Sequence, residues 1–288
     1  FRNKYQITNP KYLSEDSSII KQKHNNYSLT EGISEKIYNK IKNKIIEKLP
    51  KLNEWHSINI LNKFNNINWN DAINELHKVE NIENLGGEVE YFGNDCINAE
   101  ERAQEISKNT GATYISPYND TTIISGQGTL CLEVFNEHNS VDSVFISVGG
   151  GGLISGVGGY LKSRNKNINM YGVSPENSCV MYESLKAGKQ LDLPSKETLS
   201  DGTAGGVEIG SITFKLCQDI IDDFILVNES EIAAGIRIGI KKHHQLIEGA
   251  AGTAIAGFLK KKEDLKEQTV VIVMCGGNIS SEVLKSIL

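Results

Sequence analysis

From Lys78 onward, apolar residues fall into short β-branched runs alternating with longer stretches of helical period, separated by turn residues. Residues 88–92 (EVEYF) predict a short strand, 98–109 a helix closed by Gly111, 112–116 a strand, and 126–136 a helix. Residues 143–148 (SVFISV) form a strand-sized run that breaks straight into four glycines at 149–152, followed by a helical stretch over 153–163. Further strands are expected at 171–173 and at 270–274 (VVIVM), the latter ending at Cys275–Gly277. Strands alternating with helices over this length predict an α/β fold with a mainly parallel sheet. Before Lys78 the pattern is weaker. Ile37, Ile41, Ile45 and Leu49 recur at i+4, with Lys40, Lys42, Lys44 and Lys48 largely off that line. This predicts an amphipathic helix over 34–49, read as packed on the domain rather than as a partner-binding or membrane-surface helix.

Composition sharpens this division. Of 27 glycines only Gly32 precedes Lys78. Residues 1–77 hold 12 Lys/Arg against 8 Asp/Glu, while the remainder holds 18 against 28, a net +4 followed by −10. The first segment also carries 14 asparagines, five of them in 61–70, a bias that need not form a packed core. The 288 residues are enough for one large domain or two unequal ones, and 39% hydrophobic with 23% charged is ordinary for a soluble globular chain. A net charge of −6 draws the chain neither to nucleic acid nor to anionic lipid. No apolar run approaches the roughly 18 residues of a membrane span. Five cysteines, scattered and without a CxxC, argue against a disulfide framework or a zinc knuckle and for a reducing compartment, expected to be the cytoplasm. The chain opens on Phe1 instead of Met, so a fragment or processed product is expected, with a targeting signal upstream left open.

The stretch SVFISVGGGGLISGVGGYLK carries the candidate chemistry. Without Cβ atoms the backbone can turn sharply and face successive N–H groups toward one anion, and the helix beginning near Leu153 adds its N-terminal dipole. The expected result is a phosphate cradle without a cationic side chain. A dinucleotide G-x-G-x-x-G fails, because Ile154 or Ser155 stands where the last glycine belongs. A Walker loop fails because Val157 stands where lysine belongs. A pyridoxal phosphate (PLP) group, which backbone amides alone can hold, fits the loop; the bland alternative is a tight turn with no ligand.

At this loop the sequence resembles the fold-type II PLP enzymes, specifically the serine/threonine ammonia-lyase (threonine dehydratase) branch, which includes serine racemase. KVENIENLGGEVEYFG (78–93), YISPYNDTTIISGQGTLCLEV (114–134), VGGGGL (148–153), LSDGTAGG (199–206), HHQLIEGAAG (243–252) and CGGN (275–278) follow one another in family order. The resemblance implies a tryptophan-synthase-β-like fold. Residues 1–77 would be an atypical, partly helical segment, 78–120 a remnant of the small domain and 121–288 the large PLP-binding domain. It implies that the amides of Gly149, Gly150, Gly151, Gly152 and Leu153 hold the phosphate. Cys275 would stand beside the pyridine nitrogen, where a neutral thiol favours elimination at Cβ over transamination; its bland alternative is a small buried hydrophobe. Glu248 would lie near the cofactor, or else be a solvated or helix-capping glutamate. The implied partner is a small-molecule amino acid, threonine or serine, converted to a 2-oxo acid and ammonia, and the resemblance suggests a homodimer.

Two departures qualify the resemblance. Members carry a Schiff-base lysine in a G-S-F-K-x-R-G-like stretch, and a later S-x-G-N-H-like substrate loop, both ahead of the segment matching Lys78. Nothing in residues 1–77 resembles either, and Lys215, in SITFKLC, belongs to a different block. No catalytic residue is therefore assigned, and the chain is expected to be inactive in this form. A divergent or incomplete N-terminus would explain this, as would a non-catalytic protein that binds PLP or an amino acid. The second departure concerns metal: the carboxylates of the cation site found in some members fall at Ser174 and Val180, with Glu176 out of step, so no such site is expected.

Overall fold

The computed structural model describes residues 56–58, 79, 82–93, 95–138 and 140–288, all within the second of two compact units, His56–Leu288. The helix expected over 34–49 lies outside the described residues. Two short strands, β1 (His56–Ile58) and β2 (Glu88–Glu90), pair in parallel with His56 opposite Glu88. The first of these had no counterpart in the sequence reading. Helix α1 (Cys96–Thr110) follows, capped by the Asp95 carboxylate at Ile97 N–H and closed by Gly111 in the left-handed conformation. Helix α2 (Thr121–Glu137) is capped by Asp120, whose carboxylate accepts from the N–H groups of Thr122 and Ile123.

The strand expected over 112–116 does not form. Local side chains take the backbone groups a ladder would need: Ser107 Oγ donates to Ala112 O at 2.6 Å, and Ala112 N–H donates to Thr110 Oγ1 at 3.2 Å. Ser116 Oγ then accepts from Asn119 N–H at 2.8 Å, folding the chain into a turn around Pro117.

The remaining chain winds a four-stranded sheet: β3 (Ser143–Ser147), helix α3 (Gly152–Arg164), β4 (Asn169–Pro175), helices α4 (Val180–Ala187) and α5 (Ile212–Ile220), β5 (Asp223–Val227), helices α6 (Glu229–His243) and α7 (Gly249–Lys261), β6 (Val270–Ile272) and helix α8 (Ser281–Ile287). All pairs are parallel and the order is β5-β4-β3-β6. The chain therefore steps from β3 to β4 to β5 in one direction and returns across the sheet to β6. Right-handed crossovers then put α3 and α5 on one face and α6 and α7 on the other. The two cores follow. Val144, Ile146, Met170, Val157 and Leu161 pack on the first face; Phe145, Val173, Val227, Ile236 and Ala251 pack on the second. Because both faces of β3 are covered, all five of its residues are buried, which is why SVFIS reads as a continuous run rather than an alternating one.

Glycines inside helices mark where backbones touch. A Cβ at Gly128 of α2 would lie 2.9 Å from Gly156 O of α3, and one at Gly235 of α6 would collide with Gly252 O of α7. Each interior glycine costs about 1 kcal/mol of helix propensity relative to alanine, offset here by close helix packing. No helix among the described residues is long and apolar enough to cross a membrane.

Candidate functional site

Strand β3 lies between β4 and β6, so the direction of winding reverses beside its C-terminal end, the place where open α/β sheets form a crevice. The glycine loop leaves the sheet there. Val148 N–H makes the last sheet contact, to Val173 O at 2.8 Å, and Ser174 Oγ fixes Val148 O at 2.6 Å. Beyond it, the N–H groups of Gly149, Gly150, Gly151, Gly152 and Leu153 donate to no acceptor among the described residues. Gly151 is left-handed (φ 83°) and serves as the N-cap of α3 without a side-chain cap. A left-handed residue followed by right-handed helix turns successive N–H groups to one side, the geometry of an anion nest at a helix N-terminus.

The space behind the loop is full. A Cβ at Gly149 would sit 2.8 Å from Thr203 O, one at Gly151 2.7 Å from Cys217 Sγ, one at Gly152 2.9 Å from Tyr118 Cα, and one at Gly150 would run into the Tyr118 ring. The four glycines are thus required by their surroundings as well as by the turn.

Cys275 lies two residues past Val273, whose N–H donates to Phe145 O at 3.0 Å. Its Sγ is 3.4 Å from Ser147 Oγ, so the structure brings Cys275 to the mouth of the strand that feeds the loop. Cys275 is exposed as a residue, yet the protein around its sulfur raises the thiol pKa above the ordinary value, chiefly by desolvation. The hydrogen bond with Ser147 works the other way, and Glu248 adds to the rise. Such a thiol is neutral near pH 7.

Glu248 stands at the N-cap position of α7 but does not cap it. Its Oε2 accepts from Asn278 N–H at 2.8 Å, its own N–H donates to Gly276 O at 3.1 Å, and Gly202 comes within 3.4 Å of its Oε1 counted from a Cβ. The glutamate ties the 275–278 segment to the neighbourhood of the short 3-10 helix Asp201–Thr203. Ser174 and Val180 are both buried. Lys215 is far from any such role: its side chain is 71% exposed and paired with Asp219 at 2.7 Å.

One cluster had no signature in the sequence. Tyr118 OH donates to Glu100 Oε2 at 3.0 Å and accepts from Glu208 N–H at 2.7 Å. Gln104 and Asn119 hold the Glu208 carboxylate at 3.1 and 2.8 Å. Burial pushes the Glu100 carboxyl up to about 7, the Tyr118 hydrogen bond opposes this, and Glu208 and Asp95 add to it. Between the ordinary carboxyl value of 4.5 and about 7 the folded chain therefore binds more proton at Glu100 than the unfolded chain. This contribution to stability falls as pH rises through that window, and the cost persists above it. Glu100→Gln removes the titration. It is expected to stabilise the protein by about 1–2 kcal/mol at pH 8, allowing for partial access to water, with the gain vanishing toward pH 4.5. Urea melts at the two pH values check this, and an equal effect at both would remove the assignment.

Residues 71–276 match the family model described as pyridoxal-phosphate dependent enzyme. The L-threonine ammonia-lyase of Thermotoga maritima is 38% identical over 213 residues, covering 74% of this chain and 53% of that protein. The biosynthetic L-threonine dehydratase of Pasteurella multocida is 32% identical over 72% of this chain and 41% of that protein. The chain spans about half the length of the curated relatives it matches. Among solved structures, the processed form of threonine deaminase isoform 2 from Solanum lycopersicum superposes with a TM-score of 0.68 at 32% identity, covering 74% of this chain and 62% of that one. Maize serine racemase superposes with a TM-score of 0.65 at 28% identity, covering 73% of this chain and 64% of that one.

Proposed function

The chain belongs to the pyridoxal-phosphate dependent enzyme family, of fold type II, and from that premise we propose that it supplies the cofactor-holding part of a threonine/serine ammonia-lyase. In this reading residues 121–288 are the large domain and 78–120 what remains of the small one. The observation that carries it is the row of N–H groups from Gly149 to Leu153 at the start of α3, which have no acceptor among the described residues. Pyridoxal phosphate supplies an electron sink for charge developing at the α-carbon of a bound amino acid. The five amides would hold its phosphate, which would enter from the side away from the filled space behind the glycines. The Cys275 thiol, neutral by desolvation, would give the ring nitrogen a weak, uncharged partner and so favour loss of a β-hydroxyl over amino transfer. Glu248 would keep the 275–278 turn, and with it Cys275, in register beside Ser147. The substrate would be threonine or serine and the products a 2-oxo acid and ammonia, in a cytoplasmic protein assembled as a homodimer. Removal of the α-proton needs an amine base, and the sequence offers no recognisable one; turnover by this chain as it stands is therefore not part of the proposal.

A titration with PLP tests the cradle. Gly150→Ala, which drives a methyl into the Tyr118 ring, is expected to weaken binding at least about tenfold. Gly159→Ala serves as its control. Among the described residues that Cβ comes no nearer than 4.0 Å to anything but its own helix, so binding should be unchanged and stability should rise by up to about 1 kcal/mol. Equal binding by wild type and Gly150→Ala, with matched melting temperatures, would place the cofactor elsewhere.

A further inference from the structure

We propose that Tyr118 is a positioning residue through which occupation of the glycine loop tightens α1 against the rest of the domain; this rests on reading the loop as an anion cradle. Tyr118 is 7% exposed and touches two things at its two ends. At the ring end it meets backbone: a Cβ at Gly150 would enter the ring, and one at Gly152 would lie 2.9 Å from Tyr118 Cα and Cβ. Among the described residues the Tyr118 ring atoms are the nearest atoms to a Cβ at Gly150. At the hydroxyl end, its one proton goes to Glu100 Oε2 at 3.0 Å and it accepts Glu208 N–H at 2.7 Å. Glu100 belongs to α1, as does Gln104, which holds Glu208 at 3.1 Å. The backbone of Tyr118 is pinned separately by Ser116 Oγ, which accepts its N–H at 3.4 Å. The residue is thus a stiff spacer with the loop at one end and α1 at the other.

Four consecutive glycines leave the empty loop with more backbone freedom than any other residue type would. Once its amides commit to one anion, that freedom is lost, and the face on which the ring packs becomes fixed. The ring then has fewer ways to swing its hydroxyl off Glu100 and Glu208. Openings of α1 that require this separation become rarer, and by linkage a firmly docked α1 favours the ordered loop. The contact from Asp95 Oδ1 to Gly206 N–H, at 2.9 Å, holds the start of α1 without touching the loop, so the coupling should appear further along the helix, from Glu100 on.

Hydrogen exchange of the full chain with and without PLP reads this directly. In wild type, PLP should slow exchange at residues 149–153 and, by about fivefold or more, at residues 100–110. Tyr118→Phe keeps the ring and loses the hydroxyl: loop protection should remain while the ligand-dependent slowing in α1 disappears. Glu100→Ala should do the same, whereas Glu100→Gln, whose amide oxygen still accepts from the hydroxyl, should restore it. Loop protection in wild type without any change in α1, or an α1 response that survives Tyr118→Phe, overturns the proposal. If PLP alters neither region in wild type, the cradle reading fails first, and this proposal with it.

Discussion

Purified and supplied with PLP, this chain is expected to form no 2-oxobutanoate from threonine and no pyruvate from serine above the rate of free cofactor, and borohydride should fix no pyridoxyl group to one of its lysines. The reason is chemical. Positioned proton transfer is worth about 10²–10⁴ in rate, and in this reaction the group that anchors the cofactor is also the group that takes the α-proton. Losing one amine removes both. None of the lysines in residues 1–77 sits in a context of small residues resembling the family stretch. Lys215 cannot substitute, because it is exposed and paired with Asp219 at 2.7 Å. Reduction, digestion and mass spectrometry decide the matter. A single labelled lysine within residues 1–77, together with 2-oxobutanoate, would restore the chain to full enzyme status and show that its N-terminal segment had been misread.

The second large effect concerns the α2–α3 crossing. A Cβ at Gly156 would collide with Ile124 O and lie 2.8 Å from Gly128 N and 3.0 Å from Gln127 Cβ. Two of these three are backbone atoms and cannot rotate away. Gly156→Ala is therefore expected to cost about 3 kcal/mol, at the upper end for one added methyl, and to lower the melting temperature by about 6–12 °C. Gly126→Ala in α2 is the matched control, since among the described residues nothing but its own helix lies within 4 Å of that Cβ; it should be neutral or stabilising. If both variants melt alike, the helices are not in the contact described, and the position of the glycine loop at the head of α3 would need revision.

These contrasts also show what the sequence could and could not reveal. SVFIS announced a strand because both of its faces are covered, and the four glycines announced the loop because only glycine fits both the turn and the crowded space behind it. Helix α7 was missed as an element: Gly249 to Gly257 are all buried, so GAAGTAIAG shows no polar face and no helical period. The strand expected at 112–116 went wrong because Ser107, Thr110 and Ser116 use their hydroxyls on nearby backbone, a choice that hydrophobic pattern does not register. Cys275 was legible from CGGN, but its partner Ser147 was not, since their proximity depends on β6 returning to the far side of β3. Tyr118 left no trace for a similar reason. Its contact with Gly150 and Gly152 is set by how α2 crosses α3, and nothing local in PYND encodes that crossing.

A cradle made of main-chain amides has a consequence for how such a protein can change over generations. Where lysines or arginines hold an anion, each exchange of a side chain offers a slightly weaker or differently shaped grip, and affinity can drift in small steps. Among the described residues the proposed cradle offers nothing of that kind to exchange. The donors proposed at Gly149 to Leu153 are the same peptide groups whatever the residue, and every side chain added at the four glycines meets atoms already in place. Mutation can leave the grip intact or abolish it, with little in between. Any gradual adaptation would act on the surroundings instead, on Tyr118, Thr203, Cys275 and Glu248, which would shape the walls without contributing to the grip on the phosphate.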